Sequence, residues 1–523
     1  MKRRRKDIGD RDRENKKREC VRNQENYKNY GNRDEGEGFS DVWPQVSQFL
    51  DRVEEQIEYR PVRESIRREM GDHIEDRMQD YISGGCGREE AAKKAVAGMG
   101  DPEVIGRQLN DIRRPRKDYA LPAVVLLCVA AGLLVSFLSG FRDLNFFSQN
   151  VYFLFGIAVL FFFVRKGCFF AARYAKAVSV LYFSAFLLLI LLTRLLHWRY
   201  TPAIYNGNFL LPVAALLLIG AAESKRKAAA AAIGFTAAAI VCQILSGYLY
   251  FTFSGVLILL MSMAVAGILL WNTDRKVILS AAGKRLAAVL AVLLILIIAA
   301  AAVFSSAYVQ REEVFRTFFS PEESTESVMD DSYNALLIRS LLKRASWIGE
   351  VKLSGEDLER YSTGEWYFGR RGGTESGTAH NGYPENGIPH NAYDAESTAL
   401  EDILPYQYQN NYVISYLILR CGRIAGILVM AVIVSFFAIL ARRIAGIRSR
   451  SGFVLSVVCF CLLAGQAVFY ILGNFGWQLG AFCNLPFLSE GLASIFVNAI
   501  LTGIIASAYR YDSVRNIFCE RKN

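Results

Sequence analysis

The sequence predicts an all-α polytopic membrane protein of about ten transmembrane helices, with a small helical domain on its cytoplasmic side. Three observations predict it. Of the 523 residues, 52% are hydrophobic and 12% aromatic, and the mean hydropathy is positive, a balance too apolar for an ordinary water-soluble enzyme. Apolar runs of about 20 residues, the length that crosses a hydrocarbon core, recur from residue 119 onward. The Lys and Arg residues behind the net charge of +10 sort into alternate connections between those runs.

Residues 1–40 carry Lys, Arg, Asp, Glu and Asn with almost no aliphatic side chains, so they read as a disordered basic tail. Acidic residues interleave with the basic ones, which argues for a solvated tail near anionic headgroups and against a nucleic-acid arm. Met1-Lys2-Arg3-Arg4-Arg5-Lys6 is followed by more charge and no apolar stretch, so no cleavable signal is expected.

Within residues 41–117, Val46, Phe49, Leu50, Val53 and Ile57 recur at helical spacing, and Val62, Ile66, Met70, Ile74, Met78 and Ile82 do so again. Gly84-Gly85 stops the second helix, a third runs from Arg88 to Met99, and Asp101-Pro102 opens a fourth as cap and first residue. Glu69 to Asp76, Glu89-Glu90-Ala91-Ala92, and Met99 to Gly106 resemble the permease-prefix helical domain that precedes the membrane part of many Gram-positive transporters. That resemblance implies a regulatory or interaction module. His73 and Asp76 stand one turn apart, but a polar helix face explains them better than a metal site. Arg113-Arg114-Pro115-Arg116-Lys117 reads as a membrane-surface anchor.

Residues 118–523 form the membrane domain. Its expected spans are 119–141, 146–164, 174–193, 208–223, 228–248, 251–271, 286–307, 411–440, 453–473 and 491–509. With the N-terminus inside, the cytoplasmic connections hold Arg165, Lys166 and Arg173; Lys225, Arg226 and Lys227; Arg275, Lys276, Lys284 and Arg285; and Arg442, Arg443, Arg448 and Arg450. Arg194 and Arg199 on the outer side run against the pattern. Both termini are expected in the cytoplasm of a bacterium, and residues 308–410 outside the plasma membrane. The ten cysteines are scattered singly with no zinc or disulfide spacing, and most behave as small hydrophobes.

Inside the outer loop, Leu336, Leu337, Leu341 and Leu342 give Tyr333–Trp347 an apolar helical face that rests on the membrane surface or on the spans. Gly364 to Asn391 is rich in turn-forming residues and reads as an insertion, in which His380 and His390 are polar loop residues and not metal ligands.

Three stretches of the second half resemble the SEDS family, the cell-wall group of FtsW, RodA and SpoVE. They are Arg316-Thr317-Phe318-Phe319-Ser320-Pro321 after the seventh span; Leu404-Pro405 through Tyr412 with Gly422 and Gly426; and Asn484-Leu485-Pro486-Phe487-Leu488-Ser489-Glu490-Gly491-Leu492-Ala493-Ser494, with Asn474 and Gly476 upstream. The resemblance covers residues 286–510, and a SEDS-like topology of ten spans agrees with it.

It implies binding or polymerisation of lipid-linked disaccharide-pentapeptide, the peptidoglycan precursor, in cell shape or division. The implied partners are a class B penicillin-binding protein and membrane lipids, with no nucleic acid. No cofactor is implied, though a divalent cation would accompany an active enzyme. Arg316 would hold the pyrophosphate, and Pro405, Pro486, Ser489, Gly491 and Ser494 would shape the substrate site. The family's catalytic aspartate falls at Asn410 or Asn411, and an amide cannot act as general base. Catalysis is therefore lost, or Glu401, Asp402 or Glu490 takes the role. The alternatives are a transporter or permease component, for which no P-loop and few intramembrane charges are present, and a membrane-anchored sensor or scaffold.

Overall fold

The computed structural model describes residues 43–138, 145–195, 201–222, 224–246, 249–271, 331–353, 400–405, 408–478, 483–488 and 491–514. Helix predominates among the described residues, and no strand occurs among them. The chain divides into two compact units between Pro115 and Arg116.

The first unit holds α1 (Pro44–Glu55), α2 (Arg63–Ser83), α3 (Arg88–Met99) and α4 (Pro102–Arg113). Each begins or ends where local chemistry dictates. Pro stands at or next to the first residue of α1 and α4, where a missing N–H costs nothing, and the Asp101 side chain accepts a hydrogen bond from the Glu103 N–H at 2.9 Å. Val46, Phe49, Leu50 and Val53 of α1 pack with Ile66, Ile74 and Met78 of α2 and with Ala91, Ala92 and Ala95 of α3 as a dry core. Gly106 marks the α1–α4 crossing, since a Cβ there would come within 2.7 Å of the Val53 carbonyl oxygen. Arg113 pairs with Glu69 at 2.7 Å and Arg67 with Asp51 at 2.5 Å on the exposed side.

The second unit is the membrane bundle. Six helical segments among the described residues are long and apolar enough to cross a membrane: Arg173–Thr193, Ala203–Ala221, Lys225–Leu245, Arg423–Ala445, Arg450–Asn474 and Leu492–Arg510. Ala120–Val135 and Phe253–Leu269 are shorter apolar segments. In chain order the helices are α5 (Ala120–Leu138), α6 (Asn145–Leu195), α7 (Thr201–Gly207), α8 (Leu211–Ala221), α9 (Lys225–Ser246), α10 (Leu249–Trp271), α11 (Asp331–Arg344), α12 (Leu400–Ile403), α13 (Tyr408–Asn411), α14 (Val413–Cys421), α15 (Arg423–Ala445), α16 (Arg450–Asn474) and α17 (Leu492–Arg510). The expected span at 286–307 lies outside the described residues.

The second and third expected spans are two helices that meet within α6 at a kink at Tyr174, whose φ of −112° and ψ of 17° leave the helical region. One expectation changes in detail. The span expected at 411–440 is instead two helices, because Gly422 adopts a φ of 99° and breaks the chain between α14 and α15. A Cβ at Gly422 would lie 2.5 Å from the Trp347 carbonyl oxygen. The crossing helix begins at Arg423, while α14 is buried from Val413 to Leu419 among the bundle's helices.

The core runs the length of this unit and gathers α5, α6, α10, α11 and α14 to α17, including Phe153, Ile338, Tyr416, Phe436, Leu462, Tyr470, Phe487 and Leu501. α11 packs into it through Ala335, Leu337, Ile338 and Leu341, so this helix of the long 308–410 connection is held by the spans. Outward residues such as Leu181, Leu188, Ile427, Leu428 and Val434 stay exposed, as a lipid-facing surface requires.

Candidate functional site

Two segments singled out by their sequence meet at the end of the bundle opposite Arg442 and Arg443. One is the return of the 308–410 connection through α12, α13 and α14. The other is the end of α16 with the connection that leads to α17.

The N-terminus of α14 illustrates why these residues come together. A helix start leaves its first N–H groups without partners, and this one is buried. Side chains from one span, α16, supply the acceptors. The Tyr470 hydroxyl accepts from the Val413 N–H at 3.1 Å, and Asn474 Oδ1 accepts from the N–H groups of Ile414 at 3.0 Å and Ser415 at 3.1 Å. The same two side chains donate in return. Tyr470 O–H reaches the Asn410 carbonyl at 2.8 Å, and Asn474 Nδ2 reaches the carbonyls of Asn411 and Tyr470, both at 2.9 Å. The Ser415 hydroxyl donates to the Asn474 carbonyl, and Tyr412 O–H donates to Gln478 Oε1 at 3.2 Å. The Tyr408 and Tyr416 rings lie 4.9 Å apart alongside.

Asn410 and Asn411 are thereby mounted through their backbones on α16. The Asn410 side-chain oxygen is buried and takes no hydrogen bond among the described residues. A carboxylate in that position would face the full cost of desolvation, and the neutral amide avoids most of it.

The connection into α17 is equally fixed. Leu485, Phe487 and Leu488 are buried, and Phe487 adopts a φ of 60°, a left-handed conformation that non-glycine residues take at some cost. Its ring meets Phe436 edge to face at 6.1 Å. Asn484 Nδ2 donates to Asn206 Oδ1 at 2.7 Å, and Tyr205 O–H donates to Cys483 Sγ at 2.8 Å, which ties the connection to α7. Gly491, with a φ of 117°, precedes α17. Beside it, between the part of α6 beyond the Tyr174 kink, α7 and the first turns of α17, lies a cavity of about 230 Å³ lined by Phe186, Leu189, Leu210, Phe496 and Val497, with Asn206 as a polar member of its lining.

The expected site residues divide accordingly. Pro405 and Pro486 are buried parts of the two connections, and Pro405 accepts from the Tyr408 N–H at 3.0 Å. Ser494 is buried and accepts from Asn498 Nδ2 at 3.3 Å, inside the bundle. Arg316, Ser489 and Glu490 lie outside the described residues, as do His380 and His390; of Glu401 and Asp402 only the backbone, in α12, is described. Among the described residues no group of three or more His, Cys, Asp or Glu is placed to hold a metal ion.

Sequence reasoning noted Asn474 and Ser415 as part of matching stretches but missed their role, and it missed Tyr470 and Gln478 altogether. A signal was present: Gln466, Tyr470 and Asn474 recur every four residues along the largely apolar α16, with Gln478 just past its end, and Ser494, Asn498 and Thr502 do the same on α17. The two stripes meet where Gln466 Nε2 donates to Asn498 Oδ1 at 3.4 Å. Polar side chains in a span are costly unless they face one another, so such a stripe marks a buried seam.

No family model matches the chain, and no curated protein matches it. Among solved structures it is similar to a chain of a peptidoglycan synthase complex, described as "Structural coordination of polymerization and crosslinking by a peptidoglycan synthase complex". The identity is 15%, the match covers 76% of this chain and 98% of that one, and the TM-score is 0.49.

Proposed function

We propose that this protein is a divergent SEDS-type membrane protein of peptidoglycan synthesis that binds lipid-linked disaccharide-pentapeptide without polymerising it. The sequence stretches around Pro405, Tyr412 and Asn484 to Ser494 support the family reading. The observation that carries the loss of catalysis is Asn410. Its backbone is held by Tyr470, and its side chain presents a buried amide oxygen where the resemblance expects a proton-accepting carboxylate. The binding role rests on the return through α12 to α14, which Tyr412 joins to Gln478 at the start of the connection into α17, and on the apolar cavity beside α17, which suits hydrocarbon of a lipid-linked ligand. Arg316 would neutralise the pyrophosphate. In this reading both termini are cytoplasmic, the membrane is the bacterial plasma membrane, and a class B penicillin-binding protein is the partner that would use the held substrate.

The test is glycan-strand formation and substrate retention with purified protein and labelled lipid-linked disaccharide, with and without the co-purified partner. Retention without strands is expected. Strands that vanish on changing Glu401, Asp402 or Glu490 to alanine would establish a polymerase with a relocated base. No retention in either condition would remove the binding role and favour the transporter or sensor alternatives.

A further inference from the structure

The turn that follows α11 carries two large apolar side chains on its outside. Trp347 is 63% exposed and Ile348 77%, next to the tightly packed Ala345 and Val351. Mobility does not account for this, because the turn is fastened at both sides. The Gly349 and Val351 N–H groups donate to the carbonyls of Cys421 and Leu419 at 3.1 and 2.8 Å, and Ser346 Oγ donates to the Gly349 carbonyl at 2.8 Å. The Ser346 and Trp347 carbonyls accept from the N–H groups of Arg423 and Ile424 at 2.9 and 3.3 Å. These are the first donors of α15, which a helix start otherwise leaves open, so the turn is the cap of a membrane span.

Its location follows from that cap. α15 presents Ile424, Ile427, Leu428 and Val434 as an exposed stripe, the surface a span turns to lipid. Trp347 and Ile348 sit on the first turn of that span and continue its apolar surface past the helix end. Arg423 stacks its guanidinium 5.6 Å from the Trp347 ring and donates to the Lys343 carbonyl at 3.1 Å; Lys343, Arg344 and Lys352 are exposed on the same short stretch, and the nearby Glu350 is paired with Arg420. An indole with basic neighbours at the end of a span matches the depth at which a bilayer changes from acyl chain to phosphate.

We propose that the Trp347–Ile348 turn is a lipid-binding wedge, seated in the bilayer interface on the face that carries the 308–410 loop, with Lys343, Arg344 and Arg423 directed to the phosphates of anionic phospholipid. It anchors the α11–α14 end of the bundle against the membrane at a fixed depth, and it does not depend on the function proposed above.

The full-length chain in nanodiscs tests this through the emission that Trp347→Phe removes, taken as the difference from the unchanged protein. That difference signal is expected to lose about half its intensity to phospholipid brominated near the glycerol end and little to aqueous iodide, because interfacial indoles lie within reach of those carbons. Brominated phosphatidylglycerol should quench it more than brominated phosphatidylcholine at equal content. In an Ile348→Asp background the pattern should reverse in favour of iodide. Quenching by iodide in the unchanged protein would place the turn in water, and protection from both quenchers would mean that protein covers it; either overturns the proposal. Equal quenching by the two brominated lipids would overturn the headgroup preference.

Discussion

The two ends of the membrane bundle solve one problem with opposite chemistry. Each must fasten chain that leaves a span and satisfy the polar groups exposed there. At the basic end the fastener is charge. Arg116 donates to the Gly446 carbonyl at 2.9 Å and pairs with Asp512 at 3.5 Å, and the buried Asp512 carboxylate accepts from the N–H groups of Arg448 and Ser449 at the start of α16. Arg443 pairs with Asp118 at 2.8 Å, and the guanidinium groups of Arg116 and Arg443 each lie 5.0 Å from the Tyr509 ring. At the opposite end the buried start of α14 is held by neutral groups, Asn474, Tyr470, Ser415 and Gln478, through amides and hydroxyls, and charge enters only at the half-exposed Arg420–Glu350 pair by the last turn of α14. Where water and headgroups are near, ions are cheap to hold. Deep inside the bundle, a side chain that both donates and accepts closes every bond without burying charge.

The comparison breaks first at Asn474. Asn474→Leu leaves two N–H groups of α14 and the Asn411 carbonyl without partners, at a cost of about 4 kcal/mol. Thermal unfolding in detergent should show it as the most damaging change at either end. Gly422→Ala comes next, at about 3 kcal/mol, since it combines a positive φ with a collision against the Trp347 carbonyl. Asp512→Asn should cost less, about 2 kcal/mol, because an amide oxygen still accepts one of the N–H bonds. A larger loss for Asp512→Asn than for Asn474→Leu would show that charge, not the neutral network, holds the bundle's ends.

The smallest effect is expected in the first unit, at Glu75, which makes no ion pair among the described residues. Desolvation, then the neighbouring Asp72 and Asp76, raises the Glu75 pKa above its ordinary 4.5. The folded unit therefore holds that proton more tightly than the unfolded chain does. The stabilisation is complete below the ordinary value and is lost as pH rises through the raised one. Glu75→Gln should raise the melting temperature of this unit by a degree or two at pH 7, a gain of less than about 1 kcal/mol, and flatten its rise towards acid. An unchanged pH profile would remove Glu75 from the account.

Much of this architecture is legible in the residues alone. The apolar runs give the spans, the 3.6-residue period gives α1 to α4, and Asp101-Pro102 gives the start of α4, because each depends on atoms within a turn of one another. The candidate site was legible only in outline. Pro405, Asn410, Asn474 and Pro486 stood out, but that Asn474 caps α14, some 60 positions earlier in the chain, depends on how α16 lies beside it. At Gly422 a local sign was present, since Arg420-Cys421-Gly422-Arg423 interrupts the apolar run with a basic last turn and a glycine, but nothing local says that the Trp347 carbonyl must approach at that point.

By itself, then, the sequence determined the helical elements, the membrane character of the second unit and the caps made within a turn. Which polar groups face one another, where a long apolar run bends, and which apolar residues remain outside were decided only in the tertiary structure. Hydrophobic periodicity records that a face is buried, whereas the partner that buries it is set by the packing of segments far apart in the chain.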